Sequence, residues 1–453
     1  MRFKLFTLLL TIIPFIGLAQ QDDSLKIRAI ANEILLRSQA YENLRVLTKK
    51  VGARLTGSPQ TYKAEAWGQN ALQKAGADRV IAQSCLVPHW VRGGKDEAWI
   101  VGSKNQPLDI LALGNSMGTG PKGIQAPVVL INSFEELEQK KAEVKGKIVF
   151  YNYKFNDTYV RTFEAYRDAV GYRGAGPSAA ARHGAVGVLI RSMSHAADNN
   201  PHTGSTRYND SFPKIPAAAM GLQDADKLAA ALEKAPVTLF LKTNGKMLPD
   251  TVAHNIIGEI TGSEYPDEII TVGGHLDSWD PAEGAHDDGS GCVQSIEILR
   301  ALKAIGYKPK RTIRVVLFAN EENGLRGGGR YAEEARLKKE KHIFALESDA
   351  GGFTPRGFGF TMPAELLKKV KSWLPLLQPY GISELEMGGG GSDIGPLNRE
   401  LGTPLAGLEP DSQRYFDIHH ARSDVFEAVN KRELELGAVS MAALIYLVDK
   451  YGL

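Results

Sequence analysis

Cysteine is nearly absent: the 453 residues include only Cys85 and Cys292. Neither sits in a CxxC or Cys/His pattern, which excludes thiol catalysis, dithiol redox chemistry and a cysteine-ligated metal, and leaves no disulfide framework. Cys292 opens a helix in the part of the chain richest in polar motifs, so two buried free thiols are expected rather than a bridge. An excess of one charge is missing too. The 54 Lys and Arg are matched by 52 Asp and Glu, for a formal charge of +2. That balance offers no basic face for nucleic acid and no acidic tail. Past the first twenty residues there is no apolar run able to cross a bilayer, and no repeat of the length that builds solenoids.

Residues 1–19 read as a charged start, Met1-Arg-Phe-Lys4, an apolar stretch from Leu5 to Leu18 and a small residue, Ala19. This is the pattern of a signal peptide, and it predicts an exported protein with no stable membrane anchor once the leader is removed. Helical spacing places Ile27, Ile30 and Ile34 on one face, and Trp67, Ala71 and Leu72 on a second helix over 62–75. Between them, Arg54-Leu-Thr-Gly-Ser-Pro59 is rich in turn residues. The expected organisation is an N-terminal part of the main domain over 20–118, an inserted α/β domain over 119–248, and a C-terminal part over 249–453. In the insertion, the long polar loop from Asp198 to Pro213 has the reach to cover a neighbouring site. The last 200 residues alternate near-continuous apolar strands, Ile269–Val272, Ile313–Ala319, Ile343–Leu346 and Leu405–Leu408, with helices, as in a mostly parallel mixed sheet flanked by helices.

Each of those strands runs into potential metal ligands, and open parallel sheets bind ligands at the carboxyl ends of their strands. The first ends in Gly274-His275-Leu-Asp277; His275 suits a metal, with Asp277 fixing its tautomer from the other ring nitrogen. Next, Gly284-Ala-His-Asp287-Asp288-Gly-Ser-Gly291 turns tightly before a helix. Asp287 is placed to bridge two cations, Asp288 to cap the helix, and His286 is a neighbour. The pair Glu321-Glu322 would be costly at the mouth of a buried strand without a compensating cation; one carboxylate ligates while the other takes a proton from water. Asp349 follows the third strand, and His419-His420 supplies a final imidazole. Three ligating carboxylates and one bridging hydroxide would balance two zinc ions, and such a pair, about 3.5–4 Å apart, activates water against a peptide carbonyl. The other histidines, among them His89, His183, His195, His202, His254 and His342, have no ligand-like partners and are read as structural. Ser290, Ser348 and Ser423 form no triad.

The order His-x-Asp, Asp-Asp-Gly-Ser-Gly, Glu-Glu, Glu-Ser-Asp and His-His resembles the co-catalytic zinc aminopeptidases and carboxypeptidases. Further matches are Pro88-His-Trp-Val-Arg92, Gly146-Lys-Ile-Val149, Ser192, Pro201-His-Thr-Gly204 and Gly274-His-Leu-Asp-Ser-Trp-Asp280. The resemblance implies that His275 and Asp349 hold one zinc, that Glu322 and His420 hold the other, and that Asp287 bridges them. It also implies that Glu321 is the general base, and that Asp277 orients His275. His420 is preferred to His419 because it lies four residues before Asp424. A protease-associated-like insertion, a homodimer, an exported or lysosomal location and cleavage of unsubstituted dipeptides are implied as well. Arg422 departs from the histidine of the close relatives and bears on substrate preference. The glycine run in Met387–Asp393 is read as a close-approach wall beside the substrate. Two other functions share the motifs: an aminopeptidase trimming longer peptides, and a non-catalytic binding protein of the same fold, which would need eroded ligands.

Overall fold

A computed structural model describes residues 16–453, with side chains from residue 21 onward. The expected leader lies outside the described residues apart from its last four, which open helix Ile16–Arg37. That helix buries Ile27, Ile30 and Ile34 as their spacing predicts and lies along the C-terminal helix Lys431–Tyr451. The helix expected over 62–75 starts at Pro59, a residue with its φ already helical, after Ser58, whose hydroxyl accepts the Thr61 N–H.

Four near-continuous apolar strands form the parallel centre of an eight-stranded mixed sheet. They are, in spatial order, Arg311–Phe318, Tyr265–His275, Lys341–Glu347 and Leu405–Pro410. Antiparallel neighbours Lys246–Ile260 and Arg79–Val91 extend one edge, and Pro355–Thr361 with Glu384–Met387 the other. Because side chains alternate across a strand, both faces of these strands must be covered. On one face Ile270, Val272, Val315 and Leu346 pack against Ile296, Leu299, Met441 and Ile445 of helices Ser290–Ala304 and Lys431–Tyr451. On the other, Val316, Phe318 and Ala345 meet Tyr331, Ala332 and Leu397.

A second eight-stranded sheet has its own core, with Ile148, Phe150, Leu189, Ala218 and Leu239 at its centre. Its parallel strands are Ile124–Ile131, Ile148–Tyr151, Gly187–Arg191 and Ala217–Met220. It also takes in Glu97–Ile100, Gln106–Leu108 and Ile110–Ala112, which the expected boundary near 118 had assigned to the main domain. Glu97–Ile100 hydrogen-bonds to Thr238–Lys242 and Ile110–Ala112 to Ala217–Met220, each more than a hundred residues later, with Gln106–Leu108 added at the edge on Glu97–Ile100, and such long-range pairing leaves no local trace in sequence. The second unit therefore reaches back to Glu97. Among the described residues no helix is long and apolar enough to cross a membrane.

Candidate metal centre

The carboxyl ends of all four central strands converge. His275 closes its strand, Glu321 and Glu322 follow Phe318, Asp349 follows Glu347, and His420 lies in the loop after Leu405–Pro410. Asp287 arrives between the first two, just ahead of helix Ser290–Ala304. His275 Nε2 lies 3.0 Å from Asp287 Oδ1 and 3.4 Å from Asp349 Oδ1. His420 Nε2 lies 3.2 Å from Asp287 Oδ2 and 3.2 Å from Glu322 Oε2. Asp287 thus presents one oxygen to each imidazole-carboxylate pair. His419 also comes near, at 3.7 Å from Asp287 Oδ2, and stacks on His420. Candidate ligand atoms gather in two groups that share Asp287: one with His275 and Asp349, one with His419 and His420.

Whether a cation suits this place can be tested on the polar atoms themselves. Asp287 Oδ2 and Glu322 Oε1 are buried and accept no hydrogen bond, an arrangement that costs free energy unless something positive is supplied. Imidazole nitrogens and carboxylate oxygens are the donor set of zinc, so the residues fit the ion.

Electrostatics on the protein's own charges point the same way. Burial acts to raise the Asp287 carboxyl, but His275 and His420 beside it hold it well below the usual range. Glu321 is pushed up to about 8, by burial first and then by the neighbouring carboxylates of Asp349, Glu322 and Asp277. Glu322 is pushed to about 7 by burial and Asp287. Burial works against the charge of His420, yet Glu322 and Asp287 raise it to about 9. A carboxylate forced toward neutrality beside candidate ligands has the character of a proton acceptor for water.

Asp277 corrects an expectation. The His275 Nδ1–H donates to the backbone carbonyl of Asp277, at 3.0 Å, while the carboxylate is 3.8 Å away. The tautomer that frees Nε2 for metal is therefore fixed by main chain. The Asp277 carboxylate serves the neighbouring loop: Oδ1 accepts the Glu321 N–H at 3.0 Å and Oδ2 the Thr56 hydroxyl at 2.9 Å. Asp288 caps the helix, accepting from Gly291 N–H at 2.9 Å, and also holds the His275 N–H at 3.0 Å. His286 is a neighbour: its Nδ1 accepts the Gly352 N–H and its ring stacks on Phe353. Both thiols are free and buried, with Cys292 Sγ donating to the His275 carbonyl.

Three supports went unread in the sequence. Arg54, wholly buried, donates to the carbonyls of Leu276, Glu283 and Gly284 and ties both ends of the loop between His275 and Asp287. Asp424 accepts from His286 N–H at 2.7 Å and Asp287 N–H at 3.1 Å. From the second unit, Thr203 N–H donates to the His420 carbonyl at 3.0 Å, and the Thr203 carbonyl lies 3.2 Å from His420 Nδ1. Next to it, His202 Nδ1 bonds the His419 carbonyl at 2.7 Å. These bonds hold His420 at φ +60°, a conformation a residue with a Cβ seldom adopts unaided. The loop over 198–213 thus does reach a neighbouring site, and His202 is structural for that site; the Pro201–Gly204 motif was the one signal. His183, His195, His254 and His342 pair with Glu138, Asp157, Glu65 and Glu340 elsewhere. In the Met387–Asp393 run a Cβ on Gly391 would fall 2.1 Å from the Glu347 carboxylate, so the close approach seen there is to that side chain. A small cleft opens beside Asp287, Glu322 and His420, walled by Trp279, Pro281 and Ala421.

With this geometry in view, similarity to known proteins is informative. The description of peptidase family M28 matches residues 255–445. Human carboxypeptidase Q is 37% identical over 413 residues, covering 91% of this chain and 85% of its own length. The rat protein of that name is 38% identical with the same coverage. A crystal structure described as a peptidase M28 precursor from Shewanella amazonensis superposes with a TM-score of 0.90 at 34% identity, covering 95% of this chain and 97% of its own. A zinc aminopeptidase of Bacillus subtilis shares the fold at a TM-score of 0.66 and 21% identity, over 90% of this chain and 94% of its own. The chain belongs to peptidase family M28 and is similar over nine-tenths of its length to carboxypeptidase Q.

Proposed function

We propose that the protein hydrolyses short peptides, unsubstituted dipeptides above all, with two zinc ions per chain. One ion would be held by His275 and Asp349, the other by Glu322 and His420, with Asp287 between them. The observation that carries this reading is the sharing of Asp287 by the two imidazole-carboxylate pairs, with Asp287 Oδ2 and Glu322 Oε1 left without a hydrogen bond. When bound, a zinc pair lowers the pKa of water and polarises the peptide carbonyl.

The chain's own residues do the rest. Glu321, whose backbone is fixed by Asp277 and whose carboxyl is raised by its surroundings, takes the proton from the attacking water and passes it to the leaving amine. Asp424 and Arg54 hold the Asp287 loop so that its carboxylate does not move as charge develops. Export is supported by the leader-like residues 1–19. A homodimer is supported by Leu86 and Val252, paired across the two antiparallel strands at one edge of the first sheet and exposed at 62% and 46%.

Purified mature protein is expected to carry about two zinc ions and to cleave dipeptides. Glu321→Gln should keep the metal and lose turnover by about a thousandfold. A protein with no zinc and no hydrolysis would sink the reading in favour of a binding role.

A further inference from the structure

We propose that Arg173, supported by Tyr166, anchors the free α-carboxylate of the substrate; this rests on the peptidase reading above. Arg173 comes from the second unit, in helix Thr162–Gly174, and is only 7% exposed. A buried guanidinium normally sits against carboxylates. Arg314 has Glu259 and Glu340, and Arg92 has Asp96 and Asp280. Among the described residues Arg173 has none within 4.0 Å.

Its donors are only partly used. Nη2 donates to the Tyr166 hydroxyl, and Nη1 reaches the Thr203 carbonyl at 3.4 Å. Nε is buried with no partner. Tyr166, having accepted from the guanidinium, keeps its own O–H to donate. The pair therefore offers at least two spare donors and one uncompensated positive charge, the complement of a carboxylate.

Position fits as well. Arg173 Nη1 lies 3.3 Å from His420 Nδ1. With Nε2 turned to Asp287 and Glu322, Nδ1 carries the proton and gives it to the Thr203 carbonyl, so Arg173 shares that acceptor and does not bond the ring. The guanidinium thus stands across one imidazole from the candidate metal atoms. In a dipeptide the carboxylate follows the scissile bond by one residue, about 3.5 Å of chain, so its anchor must be this near. Room for it is made by Gly204, at φ +127°, where a Cβ would fall 2.5 Å from Arg173 Cζ.

The test compares a dipeptide with the same dipeptide amidated at its carboxyl end, for zinc-loaded wild type, Arg173→Gln, Arg173→Lys and Tyr166→Phe, with zinc content measured on each. Wild type should favour the free acid in kcat/KM by about a hundredfold or more. In Arg173→Gln that advantage should fall to within about threefold of unity, chiefly through KM, with zinc content unchanged. Arg173→Lys should retain part of it, and Tyr166→Phe should lose about tenfold. A wild type that cleaves acid and amide equally, or an Arg173→Gln variant that keeps the full preference, overturns the anchor and leaves the peptidase reading standing. Zinc-loaded wild type that cleaves neither compound sinks the peptidase reading and the anchor with it.

Discussion

The two sheets bring opposite chemistry to one place. The first delivers Asp287, Glu321, Glu322 and Asp349 with two imidazoles, nearly all from the carboxyl ends of its parallel strands. The second delivers donors and a backbone carbonyl: Arg173, His202 and Thr203. Within hydrogen-bond reach of the candidate ligands, among the described residues, it contributes no carboxylate. Negative charge and bond-making atoms thus come from one unit, which also aligns part of the site through Arg54 and Asp424, while the other adds alignment alone. Damage to the first should abolish the reaction, and damage to the second should detune it.

The sharpest way to break this division is Asp287→Ala, which should lower zinc to below one ion per chain and activity by more than about a thousandfold. An equal loss from any change in the second unit would erase the distinction. His202→Ala removes the bond to the His419 carbonyl; zinc affinity should weaken by about 10- to 100-fold, as when an outer partner of a ligand is lost, and excess zinc should restore most of the activity. Zinc-affinity titrations that match wild type would show that the clamp on the ligand loop is idle.

Metal removal separates the units by pH. Folded, Glu321 at about 8 and Glu322 at about 7 keep protons that an unfolded chain releases near 4.5, and His420 at about 9 keeps one released near 6.5. The folded state therefore binds more protons between about pH 5 and about pH 8, and the stability of zinc-free protein should fall as pH rises through that window. Thermal unfolding should show Tm dropping by about 5 °C or more from pH 5 to pH 8, and zinc should remove the drop. A zinc-free protein whose Tm is flat would mean the carboxylates are not crowded. The smallest effect is expected at Trp99, stacked on Phe240 at 4.0 Å in the second sheet. Trp99→Ala should cost about 1–3 kcal/mol in denaturant unfolding and leave kcat/KM within about twofold.

What could be read from the sequence was local. The strand from Ile269 and the ligand motif at its end are contiguous, and the apolar run and the His275 that terminates it identify each other. The same holds for Glu321-Glu322 and for Asp349. Period two placed Asp277 on the face of His275 but could not say which of its atoms would bond, and the backbone carbonyl rather than the carboxylate meets Nδ1. Arg54 reaches carbonyls some 222 to 230 positions away, and Thr203 meets His420 across 217. No spacing rule connects such distances, which only the closed fold brings together. The strands from Glu97 to Ala112 were misassigned for that reason.

The clamp between Thr203 and His420 also bears on when the proposed site is completed. The last candidate ligand is made more than nine-tenths of the way along the chain, and its strained backbone is held by a unit completed long before it. A chain still being synthesised carries Asp287, Glu322 and Asp349 without the imidazole that completes the second pair. On the proposed ligand set, a chain not yet extended past residue 420 would lack the second metal pair, and the hydrolysis proposed above would begin only once that loop had docked on the second unit.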